Sequence, residues 1–220
     1  MVYNDKVYNF QKLWASLEQD HSAIAWRGHS DSEIIPKGFA CCDVEACIRR
    51  MNRIFAIALW GQRERRLYLV RDRLGKKPLY YGWMAGTFLF GSELKGGSPP
   101  TRLAPAEWTT TAWRFLCATT TCPASTAFYE GLHKLGPGAI LSLTVGEQDV
   151  LPEPKPSWSP RQMAEQGQAQ PLTQKPAEAA ARLEKLLLNA MKSHTVVDVP
   201  LGAFFSGGVN LFLIVALMQA

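Results

Sequence analysis

Between Arg53 and Ser92 the chain is written as short apolar runs broken by polar turns, and this stretch constrains the fold more than any other. Ile54-Phe55-Ala56-Ile57-Ala58-Leu59-Trp60 is followed by the polar turn Gly61–Arg66 and then by Leu67-Tyr68-Leu69-Val70. Residues 79–83 and 87–92 repeat the pattern around Met84-Ala85-Gly86, and a further strand is expected over Ala139–Val145, after Gly136-Pro137-Gly138. Such spacing reads as consecutive hairpins. Strands that are apolar on both faces need cover on both, so the expectation is an antiparallel sheet buried under helices or under a second sheet. Trp60, Tyr80, Tyr81 and Phe90 are read as core. Arg71, Asp72 and Lys77 are read as an ion-paired tight turn rather than a substrate contact, and His29 as a turn residue bonded to backbone.

Helical periodicity flanks these strands. Phe10, Leu13, Trp14 and Leu17 form a one-sided stripe over residues 9–19, and a second helix is expected from Ser32 to near Ala40 despite Pro36. Residues 96–125 show no clean period. Residues 146–175 carry Pro152, Pro154, Pro156, Pro160 and Pro171 among many glutamines, which reads as a linker. From Pro176 to Ser193 the set Leu183, Leu186, Leu187, Ala190 and Met191 returns at helical spacing, with proline at the start. A short apolar strand, Pro200–Phe205, then meets Ser206-Gly207-Gly208 and an apolar helix from Leu211 to Met218. Glycines let backbone N–H groups crowd an anion at a helix N-terminus, yet the same turn serves equally as an ordinary strand-to-helix connection.

With 220 residues, 47% hydrophobic and 20% charged, the chain can bury one substantial core and begin a second. The net charge of +5 is scattered or interleaved with Glu64 and Asp72 over Arg63–Arg73 and forms no basic stripe, which argues against nucleic acid as a partner. Cys41, Cys42, Cys47, Cys117 and Cys122 have no zinc-ribbon spacing, so no metal site is expected, and reduced thiols fit best. The N-terminal Met-Val-Tyr-Asn-Asp-Lys lacks a signal-peptide pattern, and the apolar run 211–218 is too short to cross a bilayer of roughly 30 Å. A cytoplasmic protein without membrane attachment is expected.

Six separated segments together resemble glutamine-dependent asparagine synthetases. They are Tyr3-Asn4-Asp5-Lys6-Val7-Tyr8-Asn9, Gly28-His29-Ser30-Asp31-Ser32-Glu33, Phe55–Trp60, Arg71-Asp72-Arg73-Leu74-Gly75-Lys76-Lys77-Pro78-Leu79-Tyr80-Tyr81, Phe90-Gly91-Ser92-Glu93-Leu94-Lys95 and Asp198–Gly208. The resemblance implies an α+β fold: an incomplete αββα sandwich of the N-terminal-nucleophile kind, followed by the first βα unit of an α/β ATP-pyrophosphatase domain. It divides the chain into a glutaminase domain over 1–145, a linker over 146–175 and the start of the synthetase domain over 176–220. Glutamine would be hydrolysed at the first site, and ammonia would amidate an aspartate-type acceptor activated with ATP and Mg²⁺ at the second.

Residue by residue, the resemblance implies that Asn4 is the oxyanion-hole asparagine and that Asp31 binds the substrate's α-amino group. Asp5 stands where the family has glycine, and Lys6 where it has an acid. The family's nucleophile is a cysteine at the mature N-terminus, and none of the five cysteines occupies that place, so the nucleophile is expected to be absent and the chain to be a fragment truncated at both ends. At the second site Ser206, Gly207 and Gly208 match the pyrophosphate loop; Asn210 replaces an aspartate, and Leu211 and Phe212 replace small hydroxyl residues. The alternative is a binding or interaction protein that has lost its chemistry, associated with an intact paralogue.

Overall fold

The computed structural model describes residues 1–7, 9–20, 31–51, 53–84, 86–94, 109–110, 117, 127, 129–146, 150–195, 202–204 and 207–219. In chain order these hold β1 (Val2–Val7), α1 (Phe10–Asp20), α2 (Asp31–Cys41), α3 (Val44–Arg50), β2 (Arg53–Gly61), β3 (Arg66–Arg71), β4 (Tyr80–Met84), β5 (Thr87–Gly91), β6 (Leu132–Lys134), β7 (Ala139–Thr144), β8 (Lys155–Pro156), α4 (Pro160–Ala169), α5 (Pro176–His194) and α6 (Val209–Gln219). Two compact units result, Met1–Gln162 and Met163–Ala220. No helix among the described residues is long and apolar enough to cross a membrane.

In the first unit every strand pairing is antiparallel, giving a five-stranded sheet in the order β1-β2-β3-β7-β8 and a three-stranded sheet in the order β5-β4-β6. Successive side chains of a strand point to opposite faces, and both faces of the larger sheet are apolar. Phe55, Ile57 and Val70 face one way and pack with Leu13, Leu17, Ile34, Ile35, Ile48 and Met51 of the helical segment. Ala56, Ala58, Leu69 and Leu141 face the other way and pack with Leu79, Tyr81 and Leu135 around the smaller sheet. Helices, large sheet and small sheet therefore form three layers, an α/β mixture in which the hairpins are covered on both sides as the sequence requires. The second helical layer of a full αββα sandwich is not among the described residues. Fully burying one Ile or Leu contributes about 1.5–3 kcal/mol, so Ile57 and Leu69, both with no exposed surface, anchor one face each.

Several expectations need correction. Trp60 and Phe90 are not core: they are 44% and 42% exposed, Trp60 beside the β2–β3 turn and Phe90 on the edge strand β5. Helix α3 is an addition to the elements expected from periodicity; Asp43 caps it, its carboxylate accepting from the Glu45 N–H at 3.0 Å. The segment read as a linker holds regular structure. Pro156 and Lys155 pair with Ala139 and Ile140, which their prolines permit because β8 is an edge strand. Ser157 then ties back to the Gly138 carbonyl through both its N–H and its Oγ, each at 2.8 Å. Helix α4 follows with no buried residue, so this composition indeed builds no core, but Pro160 at its first position and Ser159 before it suit a helix start.

In the second unit α5 and α6 contact each other. Gly202, Ala203 and Phe204, read as part of a strand, have no regular structure, and the rest of that expected strand lies outside the described residues, as does Ser206.

The smaller sheet depends on one glycine. A Cβ on Gly82 of β4 would lie 1.9 Å from the Gly131 carbonyl oxygen, a backbone atom that cannot swing aside, in the strand pair that sets Gly82 opposite Leu132. Gly82→Ala should therefore cost about 3 kcal/mol, at the upper end for overpacking. Gly136→Ala, with open space around it, is the control. Urea unfolding checks the pair, and equal midpoints for the two variants would refute the reading.

Candidate functional site

Asn4 lies in the middle of β1, an edge strand of the five-stranded sheet as described. Its register partner is Ala56, whose own partner on the other side is Arg71, so Asn4, Ala56 and Arg71 form one row across three strands. Directly paired residues share a face. Ala56 packs between the sheets, so the row belongs to the inter-sheet face, and Tyr3, packed with the helical cluster, confirms the alternation. Two strand spacings separate Asn4 from Arg71, about 10 Å. Asn4 is exposed, and its register partner is the small Ala56. An asparagine amide presented this way can donate a hydrogen bond to a carbonyl oxygen that approaches along the sheet edge.

The inner end of that row is fixed rather than reactive. Arg71 and Asp72 are 5% and 2% exposed. The Asp72 carboxylate accepts from three backbone amides, Leu74 N at 3.2 Å, Lys76 N at 3.0 Å and Lys77 N at 3.0 Å. The Arg71 guanidinium donates to three backbone carbonyls, Lys77 O at 2.7 Å, Leu135 O at 2.5 Å and Gly75 O at 2.6 Å. The expected ion-paired turn is thus corrected: each side chain spends its hydrogen bonds on backbone, not on the other. The clasp spans two crossovers, because residues 72–79 carry the chain from the larger sheet to the smaller and residues 135–138 carry it back. Gly138 N also donates to the Asp72 carbonyl at 2.9 Å. Burial pushes the Arg71 guanidinium below its ordinary value, while the neighbouring Asp72 charge opposes that shift. Gly75, at φ +62, closes the turn in a region where side chains are strained.

The remaining site residues sit apart from this row. Asp31 is the first residue of α2, in the helical layer, and its side chain lies outside the described residues. Cys42 and Cys47 pack with the helical cluster, on the face of the large sheet opposite to Asn4, and Cys41 ends α2 in that same layer. Cys117 is exposed, and Cys122 lies outside the described residues. None of the cysteines in the helical layer shares the face that carries Asn4.

At the second site Gly207 takes φ +78, and Gly208 precedes the first residue of α6. A Cβ on either glycine would meet open space, so nothing in the turn crowds them. The Gly208 carbonyl accepts from Leu211 N at 2.9 Å and Phe212 N at 3.1 Å. The first turn of α6 has no acidic residue, Asn210 standing where a carboxylate would be needed, and among the described residues no group of three His, Cys, Asp or Glu is placed to hold a metal. Among the described residues the donor set does not fit ATP with Mg²⁺: the glycine turn is there, and Asn210, Leu211 and Phe212 bring neither a carboxylate nor a hydroxyl.

A family model described as "Glutamine amidotransferase domain" matches residues 1–154, and one described as "Asparagine synthase" matches residues 182–220. The glutamine-hydrolysing asparagine synthetase 3 of Bacillus subtilis is 27% identical over 99% of this chain and 33% of its own length. Asparagine synthetase 2 of the same organism is 28% identical over 96% of the chain and 28% of its own length. The amidase chry2 of Gibberella zeae is 27% identical over 95% and 29%. The chain spans about a third of the length of these relatives. Among solved structures, the glutamine phosphoribosylpyrophosphate amidotransferase of B. subtilis overlaps 71% of this chain and 28% of its own, at 15% identity and a TM-score of 0.46. Because the first match takes in 154 of the 220 residues, the chain belongs to the glutamine amidotransferase domain family, with an asparagine synthase segment after it.

Proposed function

We propose that the first unit is the glutamine site of an asparagine synthetase-type amidotransferase. The observation that carries this reading is Asn4 on the inter-sheet face of the edge strand β1, exposed and in register with Ala56 and the clasped Arg71. Glutamine would lie along that edge, with its side-chain carbonyl oxygen taking the Asn4 amide and its α-ammonium taking Asp31. As an acyl transfer proceeds, negative charge builds on that oxygen, and a positioned amide donor is worth about 10² to 10³ in rate. Ammonia released there would serve an aspartate-type acceptor at an ATP-dependent site, which the relatives' names and the match over residues 182–220 support.

The 220-residue polypeptide by itself should bind glutamine without hydrolysing it. An amide must be attacked by a nucleophile that reaches the carbonyl held by Asn4. Cys41 lies at the end of α2 opposite to Asp31, about 15 Å along the helix, and Cys42 and Cys47 pack with the helical cluster on the sheet face opposite to Asn4. Glutamate release should stay at the no-protein blank. Equilibrium dialysis with labelled glutamine should show binding that Asp31→Asn weakens by about 10-fold or more, the value of one charge-assisted bond. Hydrolysis above the blank overturns the account of the thiols, and unchanged dialysis on Asp31→Asn overturns the pocket.

A further inference from the structure

The start of α3 has an arrangement that the glutamine site does not use. Asp43 is its cap, so Cys42 is the residue before the cap and Cys47 the fourth residue of the helix. Side chains at those two positions pack on each other across the first turn and fix the angle at which the chain enters the helix. Here both are cysteines. They line one narrow pocket with Leu13, Gly38, Arg50 and Met51. Gly38 adjoins both: its carbonyl accepts from Cys42 N at 2.9 Å, and a Cβ on it would stand 3.0 Å from the Cys47 Sγ, so the absence of a side chain there leaves the pocket open to the sulfur. The Arg50 guanidinium, paired with Asp20 at 2.8 Å, belongs to a residue that lines the same pocket. Cys42 is half-buried and Cys47 buried, so Cys42 is the one that solvent reaches first.

From this we infer that Cys42 and Cys47 are a redox couple, closed to a disulfide by a small disulfide of the glutathione class. The Cys42 thiolate attacks one sulfur of the oxidant, breaking its S–S bond and releasing one glutathione thiolate. The Cys47 sulfur then attacks Cys42's sulfur and expels the second glutathione, and the two protons lost by the cysteines end on the two glutathione thiols. One S–S bond is broken and one formed; the cysteine pair is oxidised by two electrons and the oxidant reduced by two.

The test is mass spectrometry of the 220-residue chain equilibrated with oxidised glutathione, remaining thiols alkylated, then cut with trypsin. The peptide Gly38–Arg49 holds Cys41, Cys42 and Cys47 together. The expected product has lost two hydrogens, links Cys42 to Cys47, and carries an alkyl group on Cys41. Cys41→Ser should leave the link intact, and Cys47→Ser should trap glutathione on Cys42. A link through Cys41, a stable glutathione adduct on Cys42 in the unaltered chain, or three fully alkylated cysteines would each overturn the assignment; the unaltered chain alone decides the matter even where a variant fails to fold.

Discussion

Asp72→Ala should destabilise the first unit by about 4–5 kcal/mol, enough to unfold a large share of a domain whose total stability is about 5–15 kcal/mol. Truncation strands the amides of Leu74, Lys76 and Lys77 in a half-buried turn, where each lost bond to a charged acceptor is worth about 1.5–3 kcal/mol. It also leaves the Arg71 guanidinium buried without the negative charge that opposes its desolvation. Arg71→Met keeps the apolar stem and strands only carbonyls, so about 2–3 kcal/mol is expected there. The order of the two variants carries the argument. Because both side chains clasp the same turn, the double variant should cost clearly less than the sum of the singles. Urea unfolding followed by fluorescence gives all three values; Arg71→Met as costly as Asp72→Ala, or strict additivity, would show that the clasp is not one unit.

That clasp also marks where the sequence stops being legible. The hairpins of β2–β3 and β4–β5 follow from short apolar runs broken by turns, and helices α1, α2 and α5 from apolar spacing, because these are local rules. One of Arg71's three carbonyl partners is not local: Leu135 lies across a crossover that no periodicity announces. Adjacent unlike charges therefore suggest an ion pair where the structure has two backbone clasps. Helix α3 escapes a search for periodicity because seven residues show too little of it, although Asp43 followed by a short amphipathic run is a readable cap signal. At the site, the motif around Asn4 can be matched residue by residue, but only the register of β1 against β2 shows which face Asn4 takes. A shift of one residue would have sent it to the helical layer.

The same distinction between a motif and its donors decides the second site. The 220-residue chain should show no ATP–Mg²⁺ binding by calorimetry at micromolar protein. Gly207 and Gly208 supply the shape of a phosphate turn, but the amides of Leu211 and Phe212 already bond the Gly208 carbonyl. Asn210 brings no charge to balance Mg²⁺, and Phe212, 56% exposed, offers an apolar ring where a hydroxyl would donate. Two or three charge-assisted bonds at about 1.5–3 kcal/mol each amount to about 10²-fold or more in affinity. Asn210→Asp alone should restore nothing measurable, since a single carboxylate leaves the two missing hydroxyls unreplaced. Asn210→Asp combined with Leu211→Ser and Phe212→Ser should bring the first detectable heat. Saturable micromolar binding by the unaltered chain would show that the glycine turn and the first amides of α6 suffice without those side chains.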